Sequence, residues 1–354
     1  VIDHQLKFKQ KLIFLLLIIL ILPLIIIFYF AQKSDIDVQQ IPIISIENSK
    51  TLNLRGTIRD IKLSKDTKTA YVVADSRGIY IIDIQNPLDP KLISQFKYFK
   101  NSYDKSRSLE LVEDKNILFV RDTLAGIYSI NIENLSEPKL LTTYNHQEQI
   151  YKFCISKNGN YLYLTDKSGI KVLDIKNPDE IKIITKYNTK KKYFDIIEVK
   201  ENIIYLLSSF DIDILDINFD QEPKLIGNYI TLGDAEKITL SFNKTRAFLS
   251  SGYNGVEILD IANKLNPKPL GIYKSSKITK SAIVSKGGKT LYISNLNDTV
   301  EMVDIQNPDN AKSLQTININ FTKKHKALNL GLSINENILF VANGIGGMKV
   351  IKLR

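Results

Sequence analysis

Residues 78–90 read "GIYIIDIQNPLDP", and close copies return as "GIKVLDIKNP" at 169–178 and "GVEILDIAN" at 255–263. Each copy is a short run of β-branched and aromatic residues that ends in Asp-Ile and passes into an Asn-centred turn, which is the pattern of a strand bounded by turn formers. With the Asp as marker, the frame falls on Asp83, Asn131, Asp174, Asp216, Asp260, Asp304 and Lys352, at intervals of 48, 43, 42, 44, 44 and 48 residues. A period in this range denotes one supersecondary unit stacked on itself.

Each unit divides into four short strands, as in "RDIKLS" (59–64), "TAYVVAD" (69–75), "GIYIIDI" (78–84) and "PKLISQF" (90–96). Four antiparallel strands in about 40–45 residues make a β-propeller blade. Gly78, Gly126, Gly169, Gly255 and Gly347 open the third strand, where a tight turn favours positive φ. Asp75 and Asp166, just before two of these turns, are placed to accept turn amides, and the Asp of Asp-Ile is placed to cap the next turn. A calcium reading of the Asp-x-x-Gly turns fails on ligand number, since each offers one carboxylate where the ion takes six to eight oxygens. The seventh unit stops after "GMKVIKL" (347–353) without a fourth strand, and "IPIISIE" (41–47) matches the missing piece. The expected fold is therefore all-β, a seven-bladed propeller over 41–354 closed by its amino-terminal strand.

At "YIIDIQNPLDPKL", "KVLDIKNPDEIKI" and "EILDIANKLNPKP" the chain resembles the LVIVD-repeat family of bacterial β-propeller proteins, whose repeats run from an apolar strand through Asp-Ile or Asp-Val into a Pro-containing turn. The resemblance implies the fold and a place at the cell envelope or surface, without an assigned chemistry. Two repeats depart from the pattern, with Asp211 and Thr299 where the others have Gly, so blades 4 and 6 are expected to turn differently.

Residues 12–31, "LIFLLLIILILPLIIIFYFA", are uncharged over the ~20 residues a helix needs to cross a bilayer core. Lys7, Lys9 and Lys11 precede them, so a stub at 1–11 is expected in the cytoplasm and the rest of the chain across the membrane, after a linker at 32–40. A cleavable signal peptide is the competing reading. It fits less well, because the apolar run is long and Tyr29 occupies a position where a small residue is preferred.

The net charge of +10, from 48 basic and 38 acidic residues, is spread along strands and turns. With no basic helix and no recognised motif, nucleic acid is not an expected partner. The single cysteine, Cys154, alternates with apolar neighbours in "YKFCIS" and reads as a small core residue. His4, His146 and His325 show no ligand spacing, and the last two read as solvated loop residues. No cofactor or metal site is expected. "SKGGK" (285–289) lacks phosphate-loop spacing and reads as a hairpin turn.

The remaining place for function is the ring of first strands, whose early residues in a propeller face the axial channel. Alignment of the repeats puts Arg59, Asp60, Arg107, Lys152, Asp195, Glu236, Lys237, Lys280 and Asn329 at one mouth. Such a mixed-charge ring either binds a polar ligand or satisfies itself around water. The expected function is a non-catalytic, membrane-anchored interaction platform with a protein partner. The alternatives are an envelope enzyme or small-ligand binder using Asp60, Asp195 or Glu236 as base, and a sugar-binding module built on tyrosines.

Overall fold

The computed structural model describes residues 49–98, 106–122, 126–296, 299–319 and 329–353. These form seven four-stranded antiparallel sheets, each a propeller blade. Blade 1 comprises Ile58–Leu63, Thr69–Ala74, Ile79–Asp83 and Lys91–Phe96, paired in chain order, and blades 2 to 6 repeat that order. In blade 7, Asn329–Leu332, Ile338–Ala342 and Met348–Lys352 take Ser49–Leu52 as their outer strand. Ser49 there pairs with Ile351 and Leu52 with Met348.

Closure by an amino-terminal strand is thus observed, but the strand is Ser49–Leu52 and not 41–47. Residues 41–47, like the stub at 1–11, the apolar run at 12–31 and the linker at 32–40, lie outside the described residues. Among the described residues no helix is long and apolar enough to cross a membrane.

The core explains why a unit is not stable without its neighbours. Among the described residues it consists of seven apolar clusters, each between two neighbouring blades. Between blades 7 and 1, Ile58, Ala70 and Val72 meet Phe340, Met348 and Val350, with Leu52 and Leu54 packed at the edge. A middle strand is covered on both faces, so Thr69–Ala74 is buried at every position and reads as a continuous apolar run. Each large side chain so buried contributes about 1.5–3 kcal/mol.

The recurrent turn residues have separate physical roles. Gly78, Gly126, Gly169, Gly255 and Gly347 all adopt positive φ, from 79° to 126°. A Cβ on Gly126 would also sit 2.0 Å from the Tyr144 carbonyl oxygen, so the outer strand passes too close for any side chain. Asp211 is absent from the positive-φ residues, so blade 4 does turn differently, while the turn before Thr299 in blade 6 includes residues 297–298, outside the described residues. The Asp-Ile aspartates cap the next turn, with Asp83 accepting from the Gln85 N–H at 2.9 Å and Asp174 from Lys176 at 2.8 Å. The turn at 285–289 joins two strands of blade 6, as its sequence implies.

Candidate functional site

The first strands of successive blades neighbour one another around the whole ring. They enclose an axial cavity of about 610 Å³ to which all seven contribute. Asp60, Lys152, Asp195, Lys237 and Asn329 line it, as the repeat alignment anticipates. Most of their polar atoms are committed to holding the ring together. Asp60 accepts the N–H of Ile61 at 2.9 Å and that of Leu109, on blade 2, at 3.2 Å. Asp195 does the same for Ile196 at 3.1 Å and for Ile238, on blade 5, at 3.0 Å, while Lys152 lies 3.5 Å from its carboxylate. Asn329 donates to Asp60, and its side-chain oxygen accepts from Lys237 at 2.5 Å.

Arg59, Arg107, Glu236 and Lys280 do not line the cavity. Side chains alternate along a strand, so the residue before an inward one points elsewhere. Arg59, Arg107 and Lys280 also sit at register shifts near the start of their strands. Arg59 is bidentate on Asp75, at 2.9 and 3.0 Å, and Arg107 lies 3.6 Å from the same carboxylate. The Asp75 carboxylate therefore holds arginines, not the turn amides its position suggests. Lys280 pairs with Glu236 at 2.8 Å.

The structure adds inward residues that mouth alignment alone misses. Lys62 and Glu110 form a pair at 2.9 Å one layer deeper, two residues beyond Asp60 and Ser108. Stepping by two along each first strand would have found them. Burial opposes the Lys62 charge, but Glu110 and Asp60 outweigh it and hold its pKa above the usual lysine value. Lys237 behaves oppositely. Burial, with Lys152 nearby, pulls its pKa down to about 8 despite Asp60 and Asp195. The channel thus holds one ammonium locked in the charged form and one amine poised near neutrality.

A second polar cluster lies on blade 3. His146 Nε2 is 2.9 Å from Asp166 Oδ2, and Ser168 donates to Asp166 Oδ1 through both its backbone N–H at 2.7 Å and its hydroxyl at 2.6 Å. Lys171 also donates to Asp166. The His146 side chain is only 5% exposed, so it is not the solvated loop residue its sequence context suggests. Asp166 does accept the turn amide expected of it. Cys154 is buried, and burial pushes its thiol pKa well above the ordinary value, as suits a core residue.

On the face carrying the second-to-third strand turns, blades 4 and 5 expose a group of large apolar side chains. Phe210 is 65%, Ile230 74%, Leu232 59% and Tyr253 83% exposed. They are tied into one surface, because the Phe210 carbonyl accepts the Thr231 N–H at 2.9 Å and the Leu232 N–H reaches Glu257 of blade 5 at 3.0 Å. Asn254, next to Tyr253, lies against Gly233.

A family model of the LVIVD repeat matches residues 56–97 and 155–189, which fall on blades 1 and 3. The chain carries LVIVD repeats, and its fold is a seven-bladed β-propeller. No curated protein matches it.

Proposed function

We propose that this protein is a non-catalytic interaction platform that docks a partner protein on the apolar surface of blades 4 and 5. The observation that carries the reading is the juxtaposition of Phe210, Ile230, Leu232 and Tyr253, all more than half exposed, on turns of a rigid ring. Clustered exposed apolar side chains mark docking surfaces, and aromatic anchors dominate binding energy when covered. In the same reading residues 12–31 anchor the chain in the cytoplasmic membrane, amino terminus inside, with the propeller on the outer side. The charge asymmetry around that apolar run supports this orientation.

The polar channel supports the platform reading over a base-catalysed reaction. The carboxylates of Asp60 and Asp195 are occupied by backbone amides of two blades each. Glu236 is paired with Lys280 off the channel.

The test compares wild-type chain with an Ile230→Asp/Tyr253→Asp variant in crosslinked affinity capture from the native cell. Both changes lie at exposed positions and leave the blade interfaces intact. A protein bound by wild type and lost from the folded variant supports the platform. A partner retained unchanged, or no partner with either form, contradicts it. Membrane fractionation of a version lacking 12–31 tests the anchor separately.

A further inference from the structure

On the opposite face of the ring, where first strands turn into second strands, blades 3, 4 and 5 form an open cavity of about 610 Å³ that adjoins the channel exit and shares Lys157, Glu198 and Lys244 with it. Lys157, Lys200, Lys244 and Lys264 line it, with Glu198 and Glu201 as its carboxylates. Among the described residues, none of the four lysines has a carboxylate within ion-pair distance.

Glu198 accepts the Lys157 backbone N–H at 2.6 Å and the Tyr163 hydroxyl at 3.3 Å, and its attraction for Lys244 does not outweigh that lysine's burial. Two of the ammonium groups are positioned by main-chain carbonyls. Lys264 Nζ donates to the carbonyls of Lys244 and Ile261, and Lys244 Nζ to that of Glu198 at 3.1 Å. Burial lowers the pKa of both lysines, aided by Lys157 at Lys244 and by Lys244 and Lys200 at Lys264, and outweighs the opposing pull of Glu198 and Asp260. Four cations gathered against two carboxylates, with two of them preorganised, form an arrangement that an added anion would relieve.

The geometry points to a binding pocket for a small phosphate-bearing molecule, held between blades 3, 4 and 5 by Lys157, Lys200, Lys244 and Lys264. The cavity volume falls within the ~300–1,000 Å³ of small-molecule sites. Its cations are all lysines, whose compact point charges can hold a phosphate without the bidentate fork that arginine would supply. This site is independent of the apolar surface on the other face.

The experiment is calorimetric titration of the detergent-solubilised full chain with inorganic pyrophosphate, repeated at several ionic strengths, each held constant through the titration. Lys157→Gln/Lys200→Gln removes two exposed charges that make no structural hydrogen bond, so the fold is kept. Lys244→Gln/Lys264→Gln removes the tethered pair, with a melting curve as its fold control. Lys139→Gln/Lys224→Gln changes two exposed outer-strand lysines as a charge-matched control. Wild type and the outer-strand control are expected to bind one pyrophosphate saturably. Loss of two site charges is expected to weaken binding by about tenfold or more. Absence of saturable binding to wild type, or an equal loss in the outer-strand control, overturns the proposal.

Discussion

Asp195 holds the backbone N–H of Ile238 at 3.0 Å across the boundary between blades 4 and 5 while also accepting from its own neighbour Ile196 at 3.1 Å. Asp60 makes the same two-blade staple to Leu109. The carboxylates that a sequence reading offers as candidate bases are thus parts of the frame.

Asp195→Ala should therefore cost stability, not merely remove a charge. It deletes hydrogen bonds to an ionised group, worth about 1.5–3 kcal/mol, and leaves a buried N–H unpaired. Glu236→Ala breaks only an exposed pair and should stay within about 1 kcal/mol. Urea unfolding of both variants checks the contrast, and equal effects would remove the staple from the account.

Deleting 49–52 should abolish the cooperative unfolding transition of the whole propeller. It exposes the edge of Met348–Lys352 and strips Leu52 from the interface of blades 7 and 1. Differential scanning calorimetry of the deleted chain reports this directly. A transition at the wild-type temperature would show that closure comes from elsewhere.

Acid should unfold the protein partly through Asp166. Burial favours its neutral form, but hydrogen bonds from His146, Lys171 and Ser168 outweigh that and hold its carboxyl well below the usual range. A carboxyl with a depressed folded pKa stabilises the fold above the unfolded value of ~3.9, and the contribution is lost as pH falls below it. Asp166→Asn should lower stability at neutral pH and flatten the acid limb of the stability profile. An acid limb identical to that of wild type would contradict the assignment.

Lys237 should be the most reactive channel amine near pH 8. With a pKa of about 8, roughly half of it is neutral there, against under about 1% for an ordinary lysine near 10.4. Lys62, held charged by Glu110 and Asp60, should lag behind. Mass spectrometry after a short pulse of acetylating ester would show this order. The same shift means the unfolded chain binds more protons between about 8 and 10.4, so this group's contribution to stability rises across that window.

The repeat, its glycines and its Asp-Ile caps are legible in sequence because each serves local geometry that recurs in blade after blade. The closing strand is less so. Outer strands such as Lys91–Phe96 are largely exposed, so apolar alternation does not select "SKTL" over the more apolar 41–47. Arg59 and Asp60 show what the sequence leaves open at the channel, since neighbouring residues diverge and the register shift that turns Arg59 onto Asp75 leaves no mark in the sequence. His146 finds Asp166 only when the blade 2 to blade 3 connection is folded. The surface that Phe210 and Tyr253 share emerges only once their turns are placed.

The most direct test of the platform is site-specific photocrosslinking in the native cell, with a photoreactive amino acid placed at Tyr253 and, separately, at Leu265, which is 52% exposed on the opposite face. The account predicts a discrete protein adduct from position 253 that is absent from position 265 and disappears on Ile230→Asp. No adduct from 253, or the same adduct from both positions, would contradict it.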